Sequence, residues 1–416
     1  MHVVFFGDQH VESFGGAQVS MRLQRRFLER AGHTVTVVAP RMHGPRGRAV
    51  APDDAFVDLP SVPITPDREY SLTWPGRRTD VWLDRAMRRR PPVDIVHVQA
   101  DFWGAFIGHR FAGRHGFPVV QTLHNRVDVG IEATTPFPGT VLRVLNAWER
   151  RALRAWERRA VGGVPRGHDG WAYLRRLALQ SAAVTAPSAH FARRLEAHGV
   201  APRVDVIWNG IDDDVLDAAL AEEHGASQRP DAGPLLVWMG RMSPEKRLLP
   251  FLEAVARSGI RARVEVLGGG GQRRAAERLV ARLKPAASVV FSGRRPYGDS
   301  LARLRAADAL VQTSIGFETQ GMTPFEAAAL GTPSIISDPD IARELGTGFW
   351  AVGGGVDAPP DVADASVDAL ARTLRQAVAD IDADRAVPAN PAVRERFRQS
   401  SRTAAMVEVY ERVLRG

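Results

Sequence analysis

The chain opens on an apolar run, Val3, Val4, Phe5 and Phe6, then a polar loop, then a stretch over 18–30 whose apolar positions recur at helical spacing. The segment "AGHTVTVVAP" at 31–40 reads as a helix stop running into a second strand. Further short apolar runs predict strands at 95–98, 119–123 and 183–186, and Ser188 is placed to N-cap the helix after the last of them. A second set begins at Leu235. There "LLVWMG" is a buried strand, "SPEKRLLPFLEAVARSG" a helix, and "VEVLGGGG" a strand ending in a glycine turn; "SVVFSG", "ALVQTS" and "GTPSIIS" follow, each with a helix nearby. Such alternation predicts parallel sheets covered by helices on both faces. The expected fold class is α/β with two Rossmann-like domains, whose ligands bind beyond the carboxyl ends of the strands.

Residues 209–234, rich in Asp, Gly, Pro and Glu, read as a connector. The expected division is 1–207, then 208–392, then a terminal helix over 393–416 that follows "AVPANPAV" and packs back on the first domain. At 416 residues the chain is long enough for two or three cores, and it shows no low-complexity tract or short-period repeat. Its 44% hydrophobic and 25% charged content exclude disordered and fibrous classes. No apolar run reaches the roughly eighteen residues of a membrane-spanning helix, and no charged leader precedes the first strand, so a cytoplasmic protein is expected. Cysteine is absent, which excludes disulfide frameworks, thiolate metal sites and cysteine nucleophiles.

The formal charge is +8, and of 55 basic residues only Lys246 and Lys284 are lysine. Codon bias explains an arginine excess, and arginine's planar fork also suits phosphate. Where lysine survives, the site calls for an ammonium. The first loop, "GDQHVESFGGAQ", is not the G-x-G-x-x-G dinucleotide fingerprint, which weakens a dehydrogenase reading. Its paired glycines at a helix start allow either a tight turn or an anion on backbone amides. In "GRMSPEKR", Ser243 is expected to N-cap a helix and Pro244 to occupy its first turn, with Lys246 close behind and Arg241 just before. A cation there opposes the helix dipole at about 0.3–1 kcal/mol when exposed, so two cations fit a diphosphate; the plain reading is two solvated charges. In "GFETQGMTPFEAAALGTPSI", Thr323, Pro324 and Glu326 spell a helix cap, which is a complete structural explanation for Glu326. Glu318 precedes the helix and has no such role. Carboxylates beside a helix start suit vicinal hydroxyls, while the amides of Thr319, Gln320, Gly321 and Met322 suit phosphate oxygens.

On Arg241 with Lys246, Glu318 with Glu326, and the segments "VIWNGID", "AGHTVTVVAP" and "DIVHVQ", the chain resembles glycosyltransferase family 4, with its two-domain GT-B fold. The resemblance covers nearly the whole chain. It implies two domains facing a central cleft, the first on the acceptor side and the second binding a nucleotide sugar, and a retaining transfer without metal or other cofactor. On matching residues it implies that Arg241 and Lys246 neutralise the donor diphosphate, Glu318 bonds the transferred sugar and Glu326 the ribose, and Gly16 offers an amide to phosphate. His124, in "TLHN", matches a first-domain histidine near the sugar; its plain reading is a polar residue at a strand end, the reading preferred for His97. Arg294, after "FSG", approaches the nucleobase or is a surface arginine. UDP-sugar is favoured over GDP-sugar as donor, with UDP-glucose by analogy.

"ETQGMT" is similar to the glycolipid-forming branch, including diacylglycerol glucosyltransferases. In 141–160, Val141, Leu145, Trp148, Ala152 and Trp156 share one helical face, and Arg143, Arg150, Arg151, Arg154 and Arg158 gather on the other, with Arg159 an exception. A basic helix with tryptophans lies in a lipid interface or packs its stripe on its own domain. The membrane reading makes Arg143, Trp148, Arg150, Arg151, Arg154 and Trp156 contact candidates, a lipid and an anionic inner membrane face partners, and nucleic acid none. Alternatives are a GDP-mannose-dependent transferase or one with a soluble acceptor, a nonhydrolysing sugar-nucleotide epimerase, and a non-catalytic nucleotide-sugar or membrane binder. A pyridoxal-phosphate phosphorylase would have only Lys246 and Lys284 for its Schiff base.

Overall fold

A computed structural model describes every residue except 14, 158–166, 180, 222–232, 354–363 and 365. The chain forms two compact units, Met1–Gly210 with Arg402–Gly416, and Ile211–Ser401.

The first unit is built on a seven-stranded sheet in the order Phe56–Leu59, Thr34–Pro40, His2–Phe6, Ile95–Val98, Val119–Thr122, Ala183–Ala186 and Asp205–Val206, every pair parallel. Its central strands are buried throughout and largely apolar because helices cover both faces, leaving no solvent side to alternate with. On one face Val4, Phe6, Val96 and Val98 pack with Phe106, Phe111 and Tyr173. On the other, Val3, Phe5, Val35, Val37 and Ile95 meet Met406, Val409 and Tyr410 of the C-terminal helix Gln399–Arg415. His97 lies in this second layer, its Nδ1 on Tyr410 Oη at 2.6 Å and its Nε2 on Thr122 Oγ1 at 2.7 Å. Burial, aided by the nearby His124, pushes its imidazole down to about 3, so it is a neutral core histidine. Ser188 caps as expected, accepting from Phe191 N at 3.1 Å.

The second unit has a six-stranded parallel sheet in the order Ser288–Gly293, Arg263–Gly269, Leu235–Arg241, Ala309–Gln312, Ser334–Ile336 and Phe349–Ala351. Leu236, Trp238, Val264, Val266, Phe251 and Leu374 are among its core.

Two helices differ from expectation. "SPEKRLLPFLEAVARSG" is a single 3-10 turn, Pro244–Lys246, and then the helix Leu248–Ser258; Arg247 breaks them with a left-handed φ of 54°. The terminal segment is likewise two helices, Pro391–Phe397 and Gln399–Arg415. At Arg398 the backbone turns extended and bridges Ile211, which donates to Phe397 O at 2.9 Å and accepts from Gln399 N at 2.8 Å. These bonds are worth the loss of one helical turn because they close both orphaned helix ends.

Candidate functional site

In the second unit the expected cations and carboxylates gather beyond the carboxyl ends of two adjacent strands. Arg241 ends the strand Leu235–Arg241, and the 3-10 turn after it carries Lys246. The neighbouring strand Ala309–Gln312 leads through Thr313 and Glu318 into the helix Met322–Leu330. Thr313 ties the two together, donating from Oγ1 to the Lys246 carbonyl at 2.6 Å and accepting from Trp238 Nε1 at 2.9 Å. On that frame Lys246 Nζ donates to Glu318 Oε1, both side chains mostly buried. Gly316 N donates to Asp338 Oδ2 at 2.8 Å, and Asp338 Oδ1 caps the next helix, so the loop carrying Glu318 is held from below.

Arg241 lies largely in solvent and pairs with Glu245 at 2.9 Å. Ser243 does not cap: its Oγ donates to the same Glu245 oxygen at 2.5 Å, because a 3-10 turn presents Glu245 to it instead of a helical amide. Burial alone would raise the Glu245 carboxyl, but Ser243, its own amide and Arg241 outweigh it and hold it below the usual range. Glu245 is therefore part of this cluster, and nothing in the sequence spacing distinguished it from a surface helix residue.

The expected cap at Thr323, Pro324 and Glu326 is not formed. Gly321 is the cap, at a φ of 74°, where an added Cβ would stand 2.7 Å from Ile341 Cδ1. Thr323 and Pro324 thus lie inside the first turn, Gln320 is buried just before it, and Thr319 and Met322 flank the cap. Glu326 falls one turn further in and is 3% exposed. Its Oε1 accepts from Tyr297 Oη at 2.8 Å. Burial lifts this carboxyl to about 7 against the lowering pull of that bond. Its capping explanation is removed, and a buried acid without a cation stands in its place. Arg294 lies over the glycine turn of the strand Arg263–Gly269: a Cβ at Gly269 would meet Arg294 Nε at 3.2 Å.

In the first unit Gly16 begins the helix Gly16–Arg30, with open space where its Cβ would be. His124 follows the strand Val119–Thr122 and is buried; desolvation pushes its imidazole down to about 4, and among the described residues its Nε2 has no hydrogen-bond partner. Two carboxylates that sequence reasoning missed organise this edge. Asp8 accepts from the amides of Asp101 at 2.8 Å, Phe102 at 3.1 Å and Gly104 at 2.9 Å, capping the helix Trp103–His115. Asp101 in turn accepts from Asn125 Nδ2 at 2.7 Å and the His124 amide at 3.3 Å. Burial raises Asp8 to about 6; burial and the charge on Asp8 raise Asp101 to about 7.

The basic helix, Pro138–Glu157, divides along its length. Leu145, Asn146, Glu149, Ala152 and Leu153 are buried, and Glu149 holds Arg176 in an ion pair at 2.8 Å with both side chains fully enclosed. Trp148 is half-buried. Its ring stacks on the exposed Trp74 at 5.2 Å and lies edge-on to buried Phe106 at 5.4 Å, where the helix packs on Trp103–His115. In the N-terminal half Val141 is exposed, as are Phe137 at 71% and Val144 at 65%. Arg143, Arg151 and Arg154 are exposed, while Arg150 is half-buried at 3.3 Å from His168 Nδ1. The side chain of Trp156, and Arg158 and Arg159, lie outside the described residues. Among the described residues no cluster of three or more His, Asp or Glu is arranged to hold a metal ion, and no helix is long and apolar enough to cross a membrane.

The family model "Glycosyltransferase Family 4" matches residues 14–215, and "Glycosyl transferases group 1" matches residues 221–385. The chain is similar to a GDP-mannose-dependent alpha-mannosyltransferase of Mycobacterium tuberculosis, 28% identical over 351 residues, 83% of this chain and 81% of that protein. It is 30% identical over 270 residues to the 2-deoxystreptamine glucosyltransferase of Streptomyces kanamyceticus, 61% of this chain and 63% of the relative. Alpha-monoglucosyldiacylglycerol synthase of Streptococcus pneumoniae is 22% identical over 344 residues, 80% and 70% of the two. Among solved structures, Anabaena Alr3699/HepE in complex with UDP and glucose matches with a TM-score of 0.64 at 16% identity, over 99% of this chain and 100% of that one. Sucrose-phosphate synthase of Thermosynechococcus elongatus matches at 0.65 and 17%, over 100% and 99%.

Proposed function

The chain is a glycosyltransferase with the GT-B fold, a Glycosyltransferase Family 4 domain followed by a Glycosyl transferases group 1 domain, and from that premise we propose that it moves a hexose from a nucleotide diphosphate sugar to an acceptor hydroxyl with retention of anomeric configuration. The observation that carries this reading is the placement of Arg241, Lys246 and Glu318 beyond the carboxyl ends of two adjacent strands, with buried Glu326 in the helix that follows.

Lys246 and Arg241 take the diphosphate, exchanging Glu318 and Glu245 for phosphate oxygens. Released from lysine, Glu318 accepts from the hydroxyls of the transferred sugar. Glu326 accepts from the ribose, Arg294 approaches the base, and Thr319 to Met322 offer amides to phosphate. In the first unit, Gly16 has an amide and neutral His124 a ring nitrogen to offer in hydrogen bonding. The bond from the anomeric carbon to phosphate oxygen breaks, the acceptor oxygen bonds to that carbon on the same face, and its proton passes to the departing diphosphate. Two cations on the leaving group stabilise the charge that develops there.

UDP-glucose and a lipid acceptor such as diacylglycerol are the first donor and acceptor of this reading. Its support is the exposed Phe137, Val141 and Val144 beside Arg143 and Arg151, a surface suited to an anionic lipid interface, and the similarity to the diacylglycerol enzyme. The protein would then work peripherally on the cytoplasmic membrane face. A second reading, GDP-mannose as donor, is favoured by the mannosyltransferase relative that spans 83% of the chain. Incubating the protein with a panel of UDP- and GDP-sugars plus lipid extract, with mass spectrometry of products, separates them. A glucosyl lipid formed from UDP-glucose supports the first reading, a product mannosylated from GDP-mannose the second, and no transfer from any donor contradicts both.

A further inference from the structure

Tyr297 opens the helix Tyr297–Arg305 directly after Pro296, in the loop that also carries Arg294. Its hydroxyl reaches a neighbouring helix and donates to Glu326 Oε1 at 2.8 Å. Among the described residues this is the side-chain hydrogen bond that Glu326 makes. The arrangement is a poor structural device. A carboxylate enclosed without a cation costs several kcal/mol of desolvation, and one neutral hydroxyl recovers only part of that. A glutamine in the same place would accept the same bond without the charge. Capping does not explain the acid either, since Gly321 performs that role. Tyr297 is itself one-third exposed, so the buried carboxylate is hydrogen-bonded to a side chain that reaches solvent.

The tyrosine hydroxyl presents to Glu326 the same chemistry as a sugar hydroxyl: one O–H donor aimed at one carboxylate oxygen. Resting on the reading of Glu326 as the ribose carboxylate, we propose that Tyr297 Oη is a built-in stand-in for a ribose hydroxyl, displaced when a nucleoside diphosphate enters. It keeps the buried acid paired between turnovers, and it sets what a nucleotide must supply to take its place. A ribose replaces the lost bond; a sugar lacking those hydroxyls does not, and leaves the tyrosine where it is. Tyr297 is thereby a specificity-determining residue that acts by competition.

The probes are UDP and 2′,3′-dideoxy-UDP, titrated calorimetrically into the full chain. Removing the competitor in Tyr297→Phe is expected to tighten UDP binding by about two- to tenfold, the range of one net hydrogen bond, and to leave dideoxy-UDP within about twofold. A weaker UDP affinity, or an equal shift for both nucleotides, overturns the proposal. A second measurement needs no variant: the chain has four tyrosines, so a 13Cζ-tyrosine spectrum of the wild type is simple, and one resonance is expected to move with UDP and stay with dideoxy-UDP. A resonance unmoved by UDP overturns the stand-in role even if the phenylalanine variant does not fold. Glu326→Ala, which removes the acceptor, is expected to erase the preference for UDP over dideoxy-UDP. If that variant keeps the preference, the ribose reading of Glu326 fails first and this inference with it. If it erases the preference while Tyr297→Phe leaves it unchanged, only the stand-in role is lost.

Discussion

Lys246 Nζ donates to Glu318 Oε1 across 72 residues of sequence, so the cation expected to hold a diphosphate is already neutralised by the acid expected to hold a sugar. Each is thereby kept compact and oriented without a ligand, and the pair must part for a donor to bind. The predictions below follow from that exchange and from the buried acids around it.

Replacing Lys246 with alanine is expected to weaken binding of UDP or GDP by about ten- to hundredfold, the worth of one charge-assisted hydrogen bond. Isothermal titration against both nucleotides checks this. Unaltered affinity would remove the lysine from the diphosphate.

Glu318→Gln is expected to separate binding from chemistry. Lys246 loses its ionic partner and becomes more available to phosphate, so nucleotide diphosphate affinity holds or rises. Transfer falls by about a hundredfold or more, because the sugar loses its carboxylate. Comparing kcat with the nucleotide Kd on the same preparation tests it, and a parallel loss of both would mean the residue is only structural.

Glu326 contributes a stability term whose sign is fixed by its raised folded-state pKa of about 7 against an ordinary 4.5. As pH rises from about 4.5 to 7 the unfolded chain ionises while the native acid keeps its proton, so stability is lost across that window. Buried His97 and His124, with lowered values, act in the opposite direction below about 6.5, so only a difference between variants isolates the acid. The melting temperature of Glu326→Gln relative to wild type is expected to be near equal at pH 4.5 and to gain steadily up to pH 8. A flat difference would show that the acid is ionised and solvated.

Asp8→Asn is expected to destabilise the first unit by about 1–3 kcal/mol, since one of its oxygens becomes a donor facing the amides of Asp101, Phe102 and Gly104. Urea unfolding followed by tryptophan fluorescence measures it.

The basic helix is expected to show two separable effects. Trp148→Ala costs about 2–4 kcal/mol of stability, because the ring fills the space between Trp74 and Phe106. Charge reversal at Arg143, Arg151 and Arg154 lowers binding to phosphatidylglycerol vesicles without changing the melting temperature by more than a few degrees. Liposome sedimentation and thermal unfolding read the two independently.

Apart from the short edge strands Phe56–Leu59, Asp205–Val206 and Phe349–Ala351, both sheets were legible in the sequence because parallel strands buried on two faces are largely apolar, and the cap at Ser188 because it sits where a strand gives way to helical spacing. What sequence hid was set by tertiary context. Glu326 copies a capping box, but the helix starts two residues earlier, at Gly321 with its positive φ, and the acid is buried. The helix break at Arg247 comes at a non-glycine residue with positive φ, which no local signal announces. Asp8, Asp101 and Glu245 read as ordinary polar positions until the fold closes amides and hydroxyls around them. Helical spacing put Trp148 on an apolar stripe; it could not tell which end of that stripe the domain covers, nor that Glu149 would be enclosed with Arg176.

A crystal structure with bound UDP-glucose or GDP-mannose tests the ion-pair exchange most directly. Lys246 Nζ is expected on a diphosphate oxygen, Glu318 on hydroxyls of the hexose, and Glu326 on the ribose. An intact Lys246–Glu318 pair, with the nucleotide sugar bound elsewhere on the chain, would contradict it.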